Sequence, residues 1–285
     1  MEKLVVVGIF FDGYYDLWED YLECFELFWP DCPYKKYIIN NTCELKYEKV
    51  YNVEVLHAGE DAEYSRKVQT AIELIDAEYY LLLLEDFFIG EKISKDPFEE
   101  ILQFMGDEDI EYYSMPLNEF QTNKRRKKIG QKPYLRRILP QAEYTISCQP
   151  AIWKRDFLKK CIGKENFNAW VFEGIYTRSI RAHSGKFLQK TCEDHRNLLH
   201  MYHGALQGKI IPDTYEHFIN KGYKLKNKRE KISCYQYRIH KDKAKLKELI
   251  PVFLQKKIKT IKKSNSVIER YQQEIDEIMG KMGIE

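Results

Sequence analysis

Residues 79–88 read Tyr-Tyr-Leu-Leu-Leu-Leu-Glu-Asp-Phe-Phe. From Tyr79 to Leu84 no polar residue interrupts the run, so a strand formed there has no solvated face. Strands of that kind belong to sheets covered by helices on both sides, which places the chain in the α/β class with a largely parallel sheet. The run stops abruptly at Glu85 and Asp86, which a strand would deliver to the carboxyl edge of the sheet, where open α/β sheets bind ligands. Two acids beside Leu84 and Phe87 repel each other and lose hydration unless a cation lies between them. A divalent ion shared with two phosphates of a substrate resolves that conflict. The competing reading is a strand end whose acids face water or pair with a neighbour.

Outward from this segment the pattern alternates strand and helix. Lys3–Ile9 is a β-branched apolar run closed by Asp12-Gly13, a turn signal. Leu17, Tyr21, Leu22, Phe25 and Phe28 recur at helical spacing within 16–29, and Pro30 closes that helix. Short strands are expected at Tyr37–Asn40 and Val53–Leu56, and a helix over 62–77 with Val68, Ala71, Ile72 and Ile75 on one face. Beyond Asp86 the periodicity loosens. Strands are expected at 111–117 and 144–149, separated by a basic loop over 123–137, then helices over 153–161 and 170–182 and a strand at 198–203. From about Lys221 the chain turns lysine-rich and is expected to be helical.

The 285 residues are 44% hydrophobic and 14% aromatic, which excludes wholesale disorder. No apolar run approaches the roughly 20 residues that cross a bilayer. The apolar start, Met1–Phe11, lacks a basic flank and a cleavage site, so a cytoplasmic protein is expected. The seven cysteines are scattered without a Cys-x-x-Cys pair, as for free thiols in a reducing compartment. The net charge of +2 hides a polarity. Residues 1–110 hold 26 acids and 9 bases, the remainder 18 and 37, and 221–263 alone has 16 bases against 3 acids. One end is thus suited to phosphates, anionic lipid or nucleic acid.

The acidic strand exit resembles the Asp-x-Asp motif of GT-A-fold glycosyltransferases. More narrowly, it resembles bacterial cell-surface polysaccharide glycosyltransferases of the capsular and lipopolysaccharide type, which carry Asp-Asp-Phe/Tyr-Phe. The same group has counterparts, in order, of Asp16-Leu17-Trp18, Trp29-Pro30-Asp31-Cys32-Pro33, Tyr64-Ser65-Arg66-Lys67, Gln149-Pro150-Ala151-Ile152-Trp153, Trp170-Val171-Phe172-Glu173 and His203-Gly204 leading to Gly208-Lys209. The resemblance spans roughly residues 1–215. It departs from the group at Glu85, where Asp is usual, and at Phe87, where no third acid follows, which leaves the metal requirement open.

The resemblance implies a GT-A-like, Rossmann-like mixed and mostly parallel sheet flanked by helices. The catalytic part would cover 1–220, with a nucleotide-sugar half at 1–115 and an acceptor half at 116–220, followed by a basic helical extension at 221–285. It implies a nucleoside-diphosphate sugar donor, UDP-sugar favoured, and a Mn²⁺ or Mg²⁺ ion held by Asp86 with Glu85, and by His203 if that imidazole is a ligand rather than a structural residue. Asp12, Tyr14, Ser65, Arg66 and Lys67 would line the donor side, although a bland turn and a solvated helix face explain them nearly as well. Glu173, flanked by Trp170 and Phe172, would be the general base for an inverting transfer or else one half of an ion pair with Arg178 or Arg181. Gln149, Trp153, Trp170 and Arg178 would face the acceptor, with core packing the stronger reading of Trp153.

The acceptor implied is a surface glycan, lipid-linked. Leu246, Leu249, Ile250, Phe253, Leu254, Ile258 and Ile261 recur at helical spacing opposite lysines in 241–263, with a break at Pro251, and read as a basic amphipathic helix for an anionic membrane surface. Ser266–Met282 reads as a further amphipathic helix, suited to self-association in a homo-oligomer. A sugar-phosphate nucleotidyltransferase is the rival enzyme, but the turn Phe10–Tyr14 lacks the Gly-rich basic loop it would need. A nucleic-acid-binding protein is the non-enzymatic rival. No binding motif supports it, and the acidic first half would repel nucleic acid.

Overall fold

The structure, a computed structural model, describes all residues except 47, 94–95, 118–127, 130–131, 139–145, 183–188, 250–269 and 285. In chain order the elements are β1 (Glu2–Ile9), α1 (Tyr15–Phe28), β2 (Lys35–Asn40), β3 (Val53–His57), α2 (Tyr64–Leu74), β4 (Ala77–Leu84), β5 (Phe87–Ile89), α3 (Phe98–Asp107), β6 (Tyr112–Ser114), β7 (Lys128–Ile129), β8 (Lys132–Arg137), β9 (Ala151–Lys154), α4 (Arg155–Ile162), α5 (Ala169–Ala182), β10 (Thr191–Asp194), β11 (Met201–His203), β12 (Ala205–Leu206), β13 (Lys209–Ile210), α6 (Pro212–Asn220), α7 (Cys234–Leu249) and α8 (Gln272–Lys281).

The main sheet runs in the order β3-β2-β1-β4-β9-β6-β10-β8-β7. Strands β1 to β4 are mutually parallel, β9 runs against both β4 and β6, and β10 is parallel to β6. The carboxyl ends of β1, β2, β4, β6 and β10 therefore share one edge. This is the expected mixed, mostly parallel, Rossmann-like sheet. Alternation along β1 and β4 sends Leu4, Val6, Tyr79, Leu81 and Leu83 into one apolar cluster with α1 and α3. Val5, Val7, Ile9, Tyr80 and Leu82 enter the other, with α2, α4 and α5. Both faces are covered, as the uninterrupted run at 79–84 requires.

Several expectations are corrected. The basic stretch 123–137 is no plain loop: β7 and β8 form a hairpin and β8 pairs with β10, Cys192 opposite Arg137, while 123–127 lie outside the described residues. Charge is tolerated there because β8 lies near the sheet margin, where basic side chains blunt unwanted pairing. The strand expected at 144–149 begins later, at Ala151, because Pro150 has no N–H to give to a ladder. Trp153 consequently lies in β9 rather than opening a helix. Elements β5, α3, β10 and α6 have no counterpart in the periodicity, and most of 241–263, Pro251 included, lies outside the described residues.

The segment from 223 to 232, called the strap below, crosses α1. The carboxylate of fully buried Asp20 accepts from the Tyr223 hydroxyl (3.0 Å), the Lys226 and Asn227 backbone N–H groups (2.7 and 3.0 Å) and the Asn227 amide (2.7 Å). Helix α8 returns to the body, with Ile275, Ile278 and Met279 buried in the cluster that holds α5. Its apolar face is thus occupied within the chain and is not available for the expected self-association. A Cβ on Gly174 of α5 would come within 2.3 Å of Ile275 Cδ1, so the small residue sets how closely the helices approach. Ile275→Ala should cost roughly 3 kcal/mol of unfolding free energy in urea titration; an unchanged midpoint would show that α8 is not docked.

Candidate functional site

Strand β4 ends with Glu85 buried at 5% exposure and the Asp86 side chain at 17%. Strand β5 then leaves the main sheet and pairs antiparallel with β11, placing His203 opposite Phe87. That register brings His203 Nε2 to 3.1 Å from Asp86 Oδ2, and Gly204 N–H donates to the Asp86 carbonyl at 2.6 Å. A Cβ on Gly204 would meet the Phe88 ring at 2.5 Å, so the close crossing of β5 and β11 needs glycine there. The Thr214 hydroxyl of α6 donates to the His203 carbonyl (2.7 Å) and fixes the strand from behind.

Asp86 Oδ1 is buried and has no hydrogen-bond partner among the described residues. A carboxylate oxygen withdrawn from water without a donor is costly, and a cation relieves that cost. Among the described residues no group of three or more His, Cys, Asp or Glu side chains is arranged to hold a metal. The pair Asp86 and His203 is compatible only with an ion that takes few protein ligands and completes its shell with phosphate and water, as Mg²⁺ and Mn²⁺ can. Burial raises the Glu85 carboxyl well above its ordinary range, and the neighbouring Asp86 charge pushes it the same way.

Lys67, on α2, is 3% exposed, with Nζ 5.4 Å from the centre of the Phe11 ring. Burial lowers its affinity for a proton, while the charges of Glu85, Asp12 and Glu63 oppose that effect. A buried ammonium therefore lies in the field of Glu85 and Asp12. Glu173, on α5, is partly buried and accepts from the Cys148 N–H at 3.0 Å. Burial lifts its carboxyl to about 7, against the opposing pull of that N–H and of the His203 charge. The structure thus brings Glu85, Asp86, Lys67, His203 and Glu173 into one electrostatic neighbourhood.

The other residues singled out by sequence separate from this group or serve its frame. Asp12 organises the loop after β2: its carboxylate accepts from Asn40 Nδ2 and the backbone N–H groups of Asn41, Thr42 and Cys43 at 2.8–3.0 Å. Burial opposes its ionisation, yet the backbone donors of Thr42, Asn41 and Cys43 hold it down at about 2. Ser65 is fully buried, donating to the Glu165 carbonyl (2.8 Å) and accepting from Phe167 N–H (2.7 Å), so its hydroxyl staples α2 to a loop and does not face a donor. Arg66 is exposed on α2. Trp153 is 1% exposed between Tyr112 and Phe157, a core residue and not an acceptor contact. Arg178 pairs with Asp276 of α8 rather than with Glu173. The Arg181 side chain lies outside the described residues. Gln149 accepts from Leu117 N–H (3.3 Å), and Trp170 is 48% exposed at the start of α5. Tyr14 lies at the β1–α1 turn beneath the guanidinium of Arg229, 4.0 Å from ring centre.

Sequence reading missed a second strand-exit acid pair, Glu193-Asp194 at the end of β10, both buried. These acids already have partners: Arg196 and the Tyr113 hydroxyl on Asp194, His195 on Glu193 at 3.2 Å. Glu-Asp after a short strand was a legible signal, but the flanking run is too polar to read as a buried strand.

No protein-family model and no curated protein matches the chain. Among solved structures, S. aureus TarS is similar at 13% identity and a TM-score of 0.47, covering 76% of this chain and 38% of TarS. S. aureus TarS 1-349 in complex with UDP is similar at 12% identity and a TM-score of 0.45, covering 68% and 58%. A UDP-glucose pyrophosphorylase complexed with UDP-glucose gives 8% identity and a TM-score of 0.39, covering 68% and 90%. The chain spans less than two thirds of the length of either TarS structure. Likenesses of this size decide neither family nor activity.

The raised Glu173 carboxyl has a consequence for stability. Because its folded value lies above its ordinary 4.5, the native state holds the proton more tightly than the unfolded chain does. Stability from this group is present at low pH and falls as pH rises from about 4.5 through about 7. Glu173→Gln should therefore stabilise the protein roughly 2 kcal/mol more at pH 8 than at pH 5 in urea titrations, allowing for partial exposure. Equal changes at the two pH values would show that Glu173 is not desolvated.

Proposed function

We propose that this chain is a nucleotide-sugar glycosyltransferase of the GT-A kind, moving a sugar from a nucleoside diphosphate, UDP favoured, to a hydroxyl of a surface glycan. The observation that carries the reading is the buried oxygen of Asp86 at the carboxyl edge of the sheet, which has no partner among the described residues, next to buried Glu85, on which the ammonium of Lys67 acts. Asp86 and His203, with Glu85 adjacent, would hold Mn²⁺ or Mg²⁺, which when bound neutralises charge developing on the departing nucleoside diphosphate. Lys67 sits in the same field and is suited to a donor phosphate oxygen.

Glu173 is the proton acceptor in this reading. Its carboxylate takes the proton of the incoming hydroxyl, whose oxygen forms the bond to the anomeric carbon as the bond to the diphosphate breaks. A carboxyl poised at about 7 has the basicity such a step needs near neutral pH. Half-exposed Trp170, three residues earlier on the chain, offers an apolar ring to a sugar face. Against nucleotidyl transfer stands the β1–α1 turn, where Asp12 presents a carboxylate tied to the 41–43 backbone rather than a cradle of free N–H groups.

The lipid-linked acceptor and the peripheral contact with an anionic membrane are the finer part of the proposal. Supporting them, Lys221, Lys224, Lys228, Lys231 and Arg238 are all exposed on the C-terminal stretch. No described helix is long and apolar enough to cross a membrane.

Screening UDP, GDP, CDP and TDP by thermal shift, with and without Mn²⁺, should reveal at least one that raises the melting point. If none does, the proposal fails. With the donor so identified, Asp86→Asn should abolish Mn²⁺-dependent turnover at an unchanged circular-dichroism spectrum. Glu173→Gln should lower kcat by about 100-fold or more; full kcat would remove Glu173 from the chemistry.

A further inference from the structure

Resting on the nucleotide site proposed above, we infer that Arg229 is a positioning residue for the donor: it clamps the β1–α1 turn to the β12–β13 hairpin and holds Tyr14 as one wall of the nucleotide pocket.

The geometry is specific to a guanidinium. Arg229 Nε and one terminal nitrogen each donate to the Asp16 carboxylate at 2.7 Å, one oxygen apiece. That terminal nitrogen also reaches the Gly13 carbonyl at 3.4 Å, and the other donates to the Gly208 carbonyl at 3.3 Å. The plane lies over the Tyr14 ring, 4.0 Å from its centre. A planar fork of five donors performs all of this at once, and an ammonium does not. The side chain is only 14% exposed although its partner Asp16 is 44% exposed, so it is packed against the turn rather than lying on the surface.

The elements joined are those that flank the strand exit of Asp86. Gly13 and Tyr14 follow β1, the neighbour of β4 in the sheet. The hairpin holding Gly208 follows His203 by way of Gly204. Arg229 itself is held from two sides. Asp20 fixes the strap to α1 through Lys226 and Asn227. The strap also pairs with β13, where Ile210 N–H donates to the Glu230 carbonyl (2.9 Å) and Ile232 N–H to the Ile210 carbonyl (3.0 Å). His203, by contrast, is fixed by β5 and Thr214, which Arg229 does not touch. Loss of Arg229 is therefore expected to loosen the nucleotide wall and leave the acid–imidazole corner in place.

The test compares full-length wild type with Arg229→Ala, Arg229→Lys, Tyr14→Ala and the Arg229→Ala/Tyr14→Ala double variant, using whichever of UDP, GDP, CDP and TDP shifts the wild-type melting point with Mn²⁺. Affinity is read by calorimetry, and KM and kcat by Mn²⁺-dependent turnover of the matching nucleotide sugar. Arg229→Ala should weaken nucleotide affinity and raise donor KM about tenfold, with kcat within about twofold. Arg229→Lys should recover little of this, and the double variant should be no weaker than Tyr14→Ala, because the two residues act as a unit. Wild-type affinity in Arg229→Ala or Arg229→Lys, or losses that multiply in the double variant, would overturn the inference while leaving the nucleotide site standing. So would a melting-point loss with unchanged KM. If none of the four nucleotides binds wild type, the nucleotide site itself falls, and the role of Arg229 with it.

Discussion

A carboxylate oxygen buried without a donor is the constraint around which the carboxyl edge of this sheet is arranged. Asp86 reaches that position because β4 is too apolar to leave the interior and must end where the sheet ends. One of its oxygens is satisfied by His203, and this depends on β5 breaking away to pair with β11. The other oxygen has no partner among the described residues. Burial and its neighbour both favour the protonated form of Glu85, and no hydrogen bond joins it to this oxygen among the described residues. Lys67 opposes the rise of Glu85 through its field, without a direct bond from its ammonium among the described contacts.

Much of this was legible in the sequence, for physical reasons that can be named. A run of six apolar residues ending in two acids fixes a buried strand and its polar exit whatever surrounds it. The 3.6-residue spacing through Leu17, Tyr21, Leu22, Phe25 and Phe28 marks α1, and all five are buried. Strand β10 was hidden because Thr191, Cys192, Glu193 and Asp194 are buried with their charges met by Arg196, His195 and Tyr113, a tertiary compensation no local pattern announces. The basic residues of β8 concealed a strand for the same kind of reason.

Within the candidate site, the residues that sequence misplaced are those whose roles depend on distant partners. Ser65 meets Glu165 and Phe167, and Arg178 meets Asp276, each about 100 positions away. Arg229 contacts Asp16 across 213 positions, which is why an isolated arginine in a lysine-rich tail gave no signal. Asp86, His203 and Glu173 were singled out through the order of motifs, and the register of β5 and β11 sets His203 beside Asp86.

The charge polarity of the chain acquires a different meaning once α1 and the strap are seen together. Asp16, Glu19, Asp20 and Glu23 form an acidic stripe on α1, and Arg229, Lys226 and the backbone of Asn227 lie against it. Part of the basic excess after residue 220 is therefore an internal counterweight. Like charges at that spacing disfavour an isolated helix. During translation α1 leaves the ribosome some 200 residues ahead of its counter-charges, so its stripe stays unmatched until they emerge. Charge pairing along this helix thus waits on the arrival of the strap, however early α1 itself is made.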